Sequence, residues 1–245
     1  MAHLKPERQQ YYLAQAMDLH HAALSKGSPA LSDITSENCE ALYLFSALTC
    51  FFALARPREP TDFLFEKNTP LSEWLLMFRG TRIVIESSNQ PILHAGPLGP
   101  MFAIGGRRAN MQVASLTQID HLWMLQRFIN GTSGNEEDLR TYNRAIDELR
   151  QAFNVVYNEH PEFCETTDVF LWLYRVSEEY LALLNSRKPE ALSIFAYFCV
   201  LLKRLDAKWW THGWSTHLIA QIHQVLDPEH RLWIVWPMRE IGWAP

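Results

Sequence analysis

Residues 136–157 read EEDLRTYNRAIDELRQAFNVVY. Leu139, Tyr142, Ile146, Leu149, Phe153 and Val156 follow one another at alternating steps of three and four. Glu137, Arg140, Arg144, Asp147, Glu148 and Gln151 fill positions between them. Because an α-helix turns every 3.6 residues, this spacing sets the apolar side chains on one face and the charges on the other. The stretch predicts a surface helix laid on an apolar core, and it sets the period to seek elsewhere.

The period recurs at 166–184, with Val169, Leu173, Val176, Tyr180 and Leu183 in line and Thr166 or Thr167 placed as a cap. Residues 5–26 predict a helix that opens on Pro6 and ends before Gly27-Ser28-Pro29. Thr35 or Ser36 is placed to cap a helix over 36–55, closed by Pro57. That helix is apolar nearly all round, which predicts a central position. Further helices are predicted at 70–86, 115–130, 189–206, 212–226 and 230–241. RIVIES (82–87) is β-like alone but continues WLLMFRG, so it reads as an extension of the helix. The proline- and glycine-rich stretch 90–108 predicts a long loop with a short helical piece around Met101–Ala103, and NGTSGN (130–135) a helix–helix connection. The chain shows no internal repeat and no low-complexity tract. The expected fold is all-α, one bundle domain of about eight to ten helices over residues 1–245.

The net charge is −5 over 245 residues. Phosphate binding needs clustered Lys and Arg, and RPR (56–58) and GGRR (105–108) are short and read as solvated loops. No direct nucleic-acid contact through this chain is expected. Cys39, Cys50, Cys164 and Cys199 form no CxxC pair and sit in apolar stretches, as small hydrophobes do. MAHLKPERQQ is polar from its start, and ALYLFSALTCFFALA (41–55) is short for a bilayer span. An intracellular protein in a reducing compartment, without a membrane span, is the expectation.

WWTHGWSTHLIAQIHQVL (209–226) gathers tryptophans and histidines. His212, His217 and His223 are separated by steps that rotate side chains roughly 140° and 240° on a helix, unlike the i, i+4 pairs of helical metal sites. No HExxH occurs, so neither metal nor cofactor is expected. GTSG (131–134) is not a GxSxG elbow, and GPLGPMFAIGG matches no phosphate-loop pattern. Glu178–Glu179 and Glu136–Glu137–Asp138 read as solvated or dipole-complementing carboxylates. Trp210, Trp214, Leu218, Ile222 and Val225 form one helical stripe, and Trp209 and His217 lie off its centre. Gly213 leaves space beside the indoles. Such an ensemble builds either plain core or an apolar cavity with one or two polar handles.

The chain resembles the C-terminal regulatory domain of fungal zinc-binuclear-cluster transcription factors, in the branch of the sterol uptake control proteins. The stretches that carry the resemblance are HLKPERQQYYLAQAMDLHHAAL (3–24), TSENCEALYLFSALTCFFALARP (35–57), EWLLMFRGTRIVI (73–85) and LKRLDAKWWTHGWSTHLIAQIHQVLDPEHRLWIVWPMREIG (202–242). The resemblance implies an all-α bundle with a deep apolar pocket, whose occupancy controls nuclear entry and gene activation. The Trp-rich segment would then be core helix and pocket wall together, with Trp172, Phe195, Phe198, Trp210, Trp214 and His217 as ligand-facing candidates. The family's N-terminal six-cysteine zinc cluster has no counterpart in this sequence, and its first apolar helices are expected to be missing. Apolar surface on helix 36–55 would then be uncovered and favour a homodimer.

The expected function is ligand-responsive transcription regulation: a hydrophobic small molecule, a sterol or other terpenoid, biases contacts with the transcription machinery. The expected location is the nucleus, with a cytoplasmic pool. The rival expectation is an enzyme, a cyclase or isomerase of a terpenoid or polyketide with His217 or Glu179 as general acid. A third is an inert or dominant-negative dimerisation fragment.

Overall fold

The computed structural model describes residues 4–55, 78, 80–82, 84–86, 95–109, 120–132, 135–157 and 164–245. Among these the regular structure is helical and no strand occurs, so the all-α expectation holds. The chain divides into two compact units, Met1–Arg58 with Glu73–Gly105, and Glu59–Ser72 with Gly106–Pro245.

In the first unit a 3-10 turn (Pro6–Arg8) leads into α1 (Gln9–Ala30), which packs on α2 (Cys39–Ala55). Contrary to expectation, α1 runs through Gly27-Ser28-Pro29. Gly27 is a contact residue: a Cβ there would stand 2.6 Å from the Phe45 ring. Helix α2 starts later than predicted because Asn38 shapes the preceding turn, accepting from Thr35 N–H and donating to Asp33 O. It buries Cys39, Leu42, Ser46, Thr49, Cys50, Ala53 and Leu54. Leu48, however, is 64% exposed, and Leu44 and Phe51 are exposed beside it, so α2 is one-sided rather than central. The described positions between 78 and 86 are helical, as read from RIVIES.

The predicted loop over 90–108 is corrected from Gly99 on by α3 (Gly99–Ala109), a helix that extends the piece read at Met101–Ala103 through GGRR, while 90–94 lie outside the described residues. Its start is tied down by Glu40, whose carboxylate accepts from Leu98 N–H and lies where a Cβ on Gly96 would fall. Tyr43 packs on Phe102, ring centroids 4.8 Å apart. The RPR cluster and Pro57 lie outside the described residues.

The second unit holds α4 (Asp120–Asn130), α5 (Glu136–Val156), α6 (Thr166–Arg175), α7 (Glu178–Asn185), α8 (Pro189–Lys203), α9 (Trp214–Val225), α10 (Pro228–Trp233) and α11 (Val235–Ile241). Every residue of α8 from Ala191 to Leu202 is buried, and α8 packs on each of the other helices of this unit. A helix apolar all round belongs in a core, and here that helix is α8. Helix α5 follows its period except at its start: Tyr142, Ile146, Leu149, Phe153 and Val156 are buried, Leu139 in the first turn is half-buried, and Asn135 caps the helix by accepting from Glu137 N–H.

Two predicted helices prove to be pairs. The run 166–184 breaks at Val176–Ser177, where Ser177 turns extended and its side chain accepts from Tyr180 N–H to open α7. The cap of α6 is neither threonine; Glu165 and Asp168 satisfy each other's backbone N–H groups. The run 230–241 begins earlier, at Pro228, with Asp227 accepting from Glu229 and His230 N–H. It breaks at Ile234 because Pro237 cannot donate to Trp233 O. The Tyr197 hydroxyl donates to that carbonyl instead, at 3.3 Å.

Candidate functional site

Trp172 on α6 has no exposed surface and donates its indole N–H to Ala145 O of α5 at 2.9 Å. Its ring stands 5.0 Å from Phe198, 6.0 Å from Phe195 and 5.5 Å from Tyr180, while Phe195 and Phe198 are 5.3 Å apart. Three of the six candidates thus meet in one buried cluster, joined by Tyr180, whose hydroxyl donates to Ala191 O. Burial pushes the Tyr180 phenol well above its ordinary pKa, so it stays a neutral donor.

Trp210 is half-buried and stacks on Phe170 at 6.3 Å. It precedes α9 in a turn organised by Asp206. One Asp206 oxygen accepts from Gly213 N–H at 2.6 Å and the other from Lys203 Nζ at 2.9 Å. Burial pulls this carboxyl up, but the Gly213 amide and the Lys203 ammonium together hold it below the usual carboxylate range. Thr211 closes the turn, its hydroxyl donating to Leu205 O. Gly213 caps α9 with φ of +75°, a conformation that favours glycine; its part is backbone geometry, where the sequence suggested room beside the indoles. Trp209, next door, is 57% exposed.

Along α9 the buried set is Trp214, Ser215, Leu218, Ile219 and Ile222. The predicted stripe is therefore corrected at its ends: Trp210 lies before the helix and Val225 is exposed. His217 meets Trp214 edge-on at 6.0 Å, and the Gln221 amide donates to its Nε2 at 3.2 Å. Sequence reasoning passed over Ser215, whose hydroxyl is buried in the first turn of α9 with no hydrogen-bond partner among the described residues. The signal was there, a lone hydroxyl on an otherwise apolar face. Glu179, offered as a general acid, is solvent-exposed in the first turn of α7.

His212 is exposed beside Asp206, and His223 is half-buried against Trp243. Among the described residues no three His, Cys, Asp or Glu gather closely enough to hold a metal ion. The four cysteines are free, three of them buried and Cys164 partly exposed. No helix among the described residues is long and apolar enough to cross a membrane.

Burial, and then the nearby Arg231 charge, lower the His223 pKa from its ordinary 6.5. A histidine whose folded pKa is depressed contributes stability in full above its unfolded pKa, and that contribution is lost as pH falls through the folded value. The urea midpoint is expected to drop as pH falls from about 7 towards 5, and His223→Gln to flatten that drop. Equal slopes in the two proteins would remove His223 from the account.

The chain is 27% identical, over 248 aligned positions, to a Zn(2)-C6 fungal-type transcription factor of Gibberella zeae. The alignment takes in 93% of this chain and 46% of that protein, so this chain spans about half the length of its relative. No family model matches the chain, and no solved structure matches it.

Proposed function

We propose that this chain is the regulatory part of a fungal transcription regulator, responsive to a hydrophobic small molecule of the sterol or terpenoid class. The observation that carries the reading is the likeness to the Gibberella protein along nearly the whole of this chain. The helical fold of the described residues fits it. The ligand would enter among Trp172, Phe195, Phe198, Trp210, Trp214 and His217. In the cluster of Trp172, Phe195 and Phe198 the rings are in contact, so entry there requires a rearranged bundle. A ligand that binds the opened arrangement better shifts the population towards it, and contacts with the transcription machinery change with it.

The unpartnered Ser215 hydroxyl supports a ligand with a single polar group. Leaving a buried hydroxyl unpaired costs about 1–3 kcal/mol, and a ligand hydroxyl would recover it. Nuclear action with a cytoplasmic pool and a homodimer belong to the same proposal.

The chain fused to a heterologous DNA-binding module in yeast tests the reading through a reporter gene. Reporter output is expected to change when sterol synthesis is blocked. An expressed, folded fusion that leaves the reporter silent in every condition would refute regulation. A steady output unaffected by sterol supply would refute the ligand.

A further inference from the structure

Asn130 ends helix α4 and Gly131 begins its connection to α5, and an Asn-Gly step occurs once in the chain. That pair carries a reaction of its own. With no side chain on the second residue, nothing shields the Asn130 side-chain carbonyl from the Gly131 backbone nitrogen, and a five-membered ring can close between them. Both residues are exposed, so water and hydroxide reach them.

The fold acts on this step in two opposite ways. Gly131 N–H donates to Arg127 O at 3.1 Å and to Phe128 O at 3.0 Å, so the attacking nitrogen is engaged. Thr132 tightens the same turn: its N–H and its hydroxyl both donate to Ile129 O, the hydroxyl at 2.7 Å. Asn130 is itself helical, and ring closure requires its ψ to leave the helical well. On the other side, the Asn143 amide of α5 donates to Asn130 Oδ1 at 2.8 Å. That oxygen gathers negative charge as the nitrogen attacks, so the donor stands where it stabilises an oxyanion. Asn143 is held in place by donating to Leu139 O and accepting from Gln126 Nε2. The electrophile is prepared while the nucleophile is locked. The lock is a helix end, where local opening costs least.

We propose that Asn130 is a self-modification site, deamidating through a succinimide with Gly131 whenever the last turn of α4 opens. Solvent base takes the Gly131 N–H proton, and the nitrogen bonds to Asn130 Cγ. The Cγ–Nδ2 bond then breaks, and ammonia leaves after taking a proton from water. A second water opens the ring at either carbonyl, giving aspartate or isoaspartate. In sum, one amide and one water become one carboxylic acid and one ammonia, with no change of oxidation state. Isoaspartate adds a carbon to the main chain, so Gly131 N–H no longer returns to Arg127 O and Phe128 O. Either product also sets a negative charge at the C-terminal end of the α4 dipole. The change is one-way, and it marks chains whose α4 end has opened.

The test incubates the full chain in mildly alkaline buffer and follows its tryptic peptide FINGTSGNEEDLR (128–140) by chromatography and mass spectrometry. A synthetic copy of that peptide gives the rate without the lock, and Asn135, followed by Glu136, is the internal control. The native chain is expected to convert at Asn130 about tenfold or more slowly than the peptide, and the chain in urea at the peptide's rate. Thr132→Val, which removes the hydroxyl bond to Ile129 O, should speed native conversion with a melting temperature close to wild type. Gly131→Ala should slow conversion in chain and peptide alike, since its Cβ obstructs the nitrogen. Equal rates in native chain and peptide, or a Thr132→Val chain no faster than wild type, would overturn the lock. An unfolded chain that leaves Asn130 intact, or that converts Asn135 as fast, would overturn the site.

Discussion

Trp172→Ala is expected to lower the unfolding free energy by about 3–5 kcal/mol, the range for removing a large buried aromatic. Trp172 is wholly enclosed, touches three other aromatic rings and satisfies Ala145 O from α6. Truncation therefore opens a cavity under α8 and leaves a buried carbonyl short of one donor. Trp172→Phe separates the two contributions, since it keeps most of the apolar volume and loses the N–H. The phenylalanine variant should cost markedly less, nearer the roughly 1 kcal/mol of one lost hydrogen bond, since Ala145 O keeps its helical donor within α5. Urea unfolding followed by far-UV circular dichroism reads both. If alanine cost no more than phenylalanine, Trp172 would not be the packing centre that its contacts describe.

This centre was only partly legible in the sequence. The period of 136–157 gave α5 and most of its buried face, five of the six stripe residues, because one-sided burial writes itself into spacing; Leu139 is half-buried, and the buried Ala145 and Ala152 fall outside the stripe. Helix α8 is buried all round, and all-round burial erases periodicity. Its central place shows only once the helices packed around it are seen, and 36–55, equally apolar, drew that role instead. Breaks between helices were missed where the apolar stripe continues across them, as from Val176 to Tyr180. Ser177 with Glu178 and Glu179, and Asp227-Pro228-Glu229, were the caps that marked those breaks. Gly27-Ser28-Pro29 misled in the opposite direction, because glycine there serves close packing on Phe45.

Of the candidate site, chemistry was more legible than geometry. The Trp-rich stretch 209–226 pointed to core or cavity, the resemblance added Trp172, Phe195 and Phe198, and the rings of these three meet in one buried cluster. Trp210 and Gly213 were read as helix and spacer, yet they belong to the turn that Asp206 folds about itself. That turn rests on a side chain seven residues from Gly213, a contact that no local period encodes.

The aromatic interior admits two functions, inert core or ligand site, and Trp214 is where they part. Trp214 is nearly buried at the first position of α9, against His217 and next to Ser215. Trp214→Asp removes the indole from the proposed ligand wall and places a charge there. Apolar burial is lost, yet a carboxylate in the first turn of a helix is partly offset by the amides and dipole of α9. The variant is therefore expected to fold, less stably than wild type. Desolvating the new charge against an apolar ligand is costly, so retention of tritiated cholesterol should fall by more than about tenfold. Trp214→Phe, which keeps an apolar ring, should retain most of it. If wild type retains the sterol and the folded aspartate variant retains it equally, Trp214 is core and the ligand site lies elsewhere in the chain. If wild type retains none while Trp214→Asp loses only stability, the whole aromatic segment is packing and the proposed sterol response is refuted.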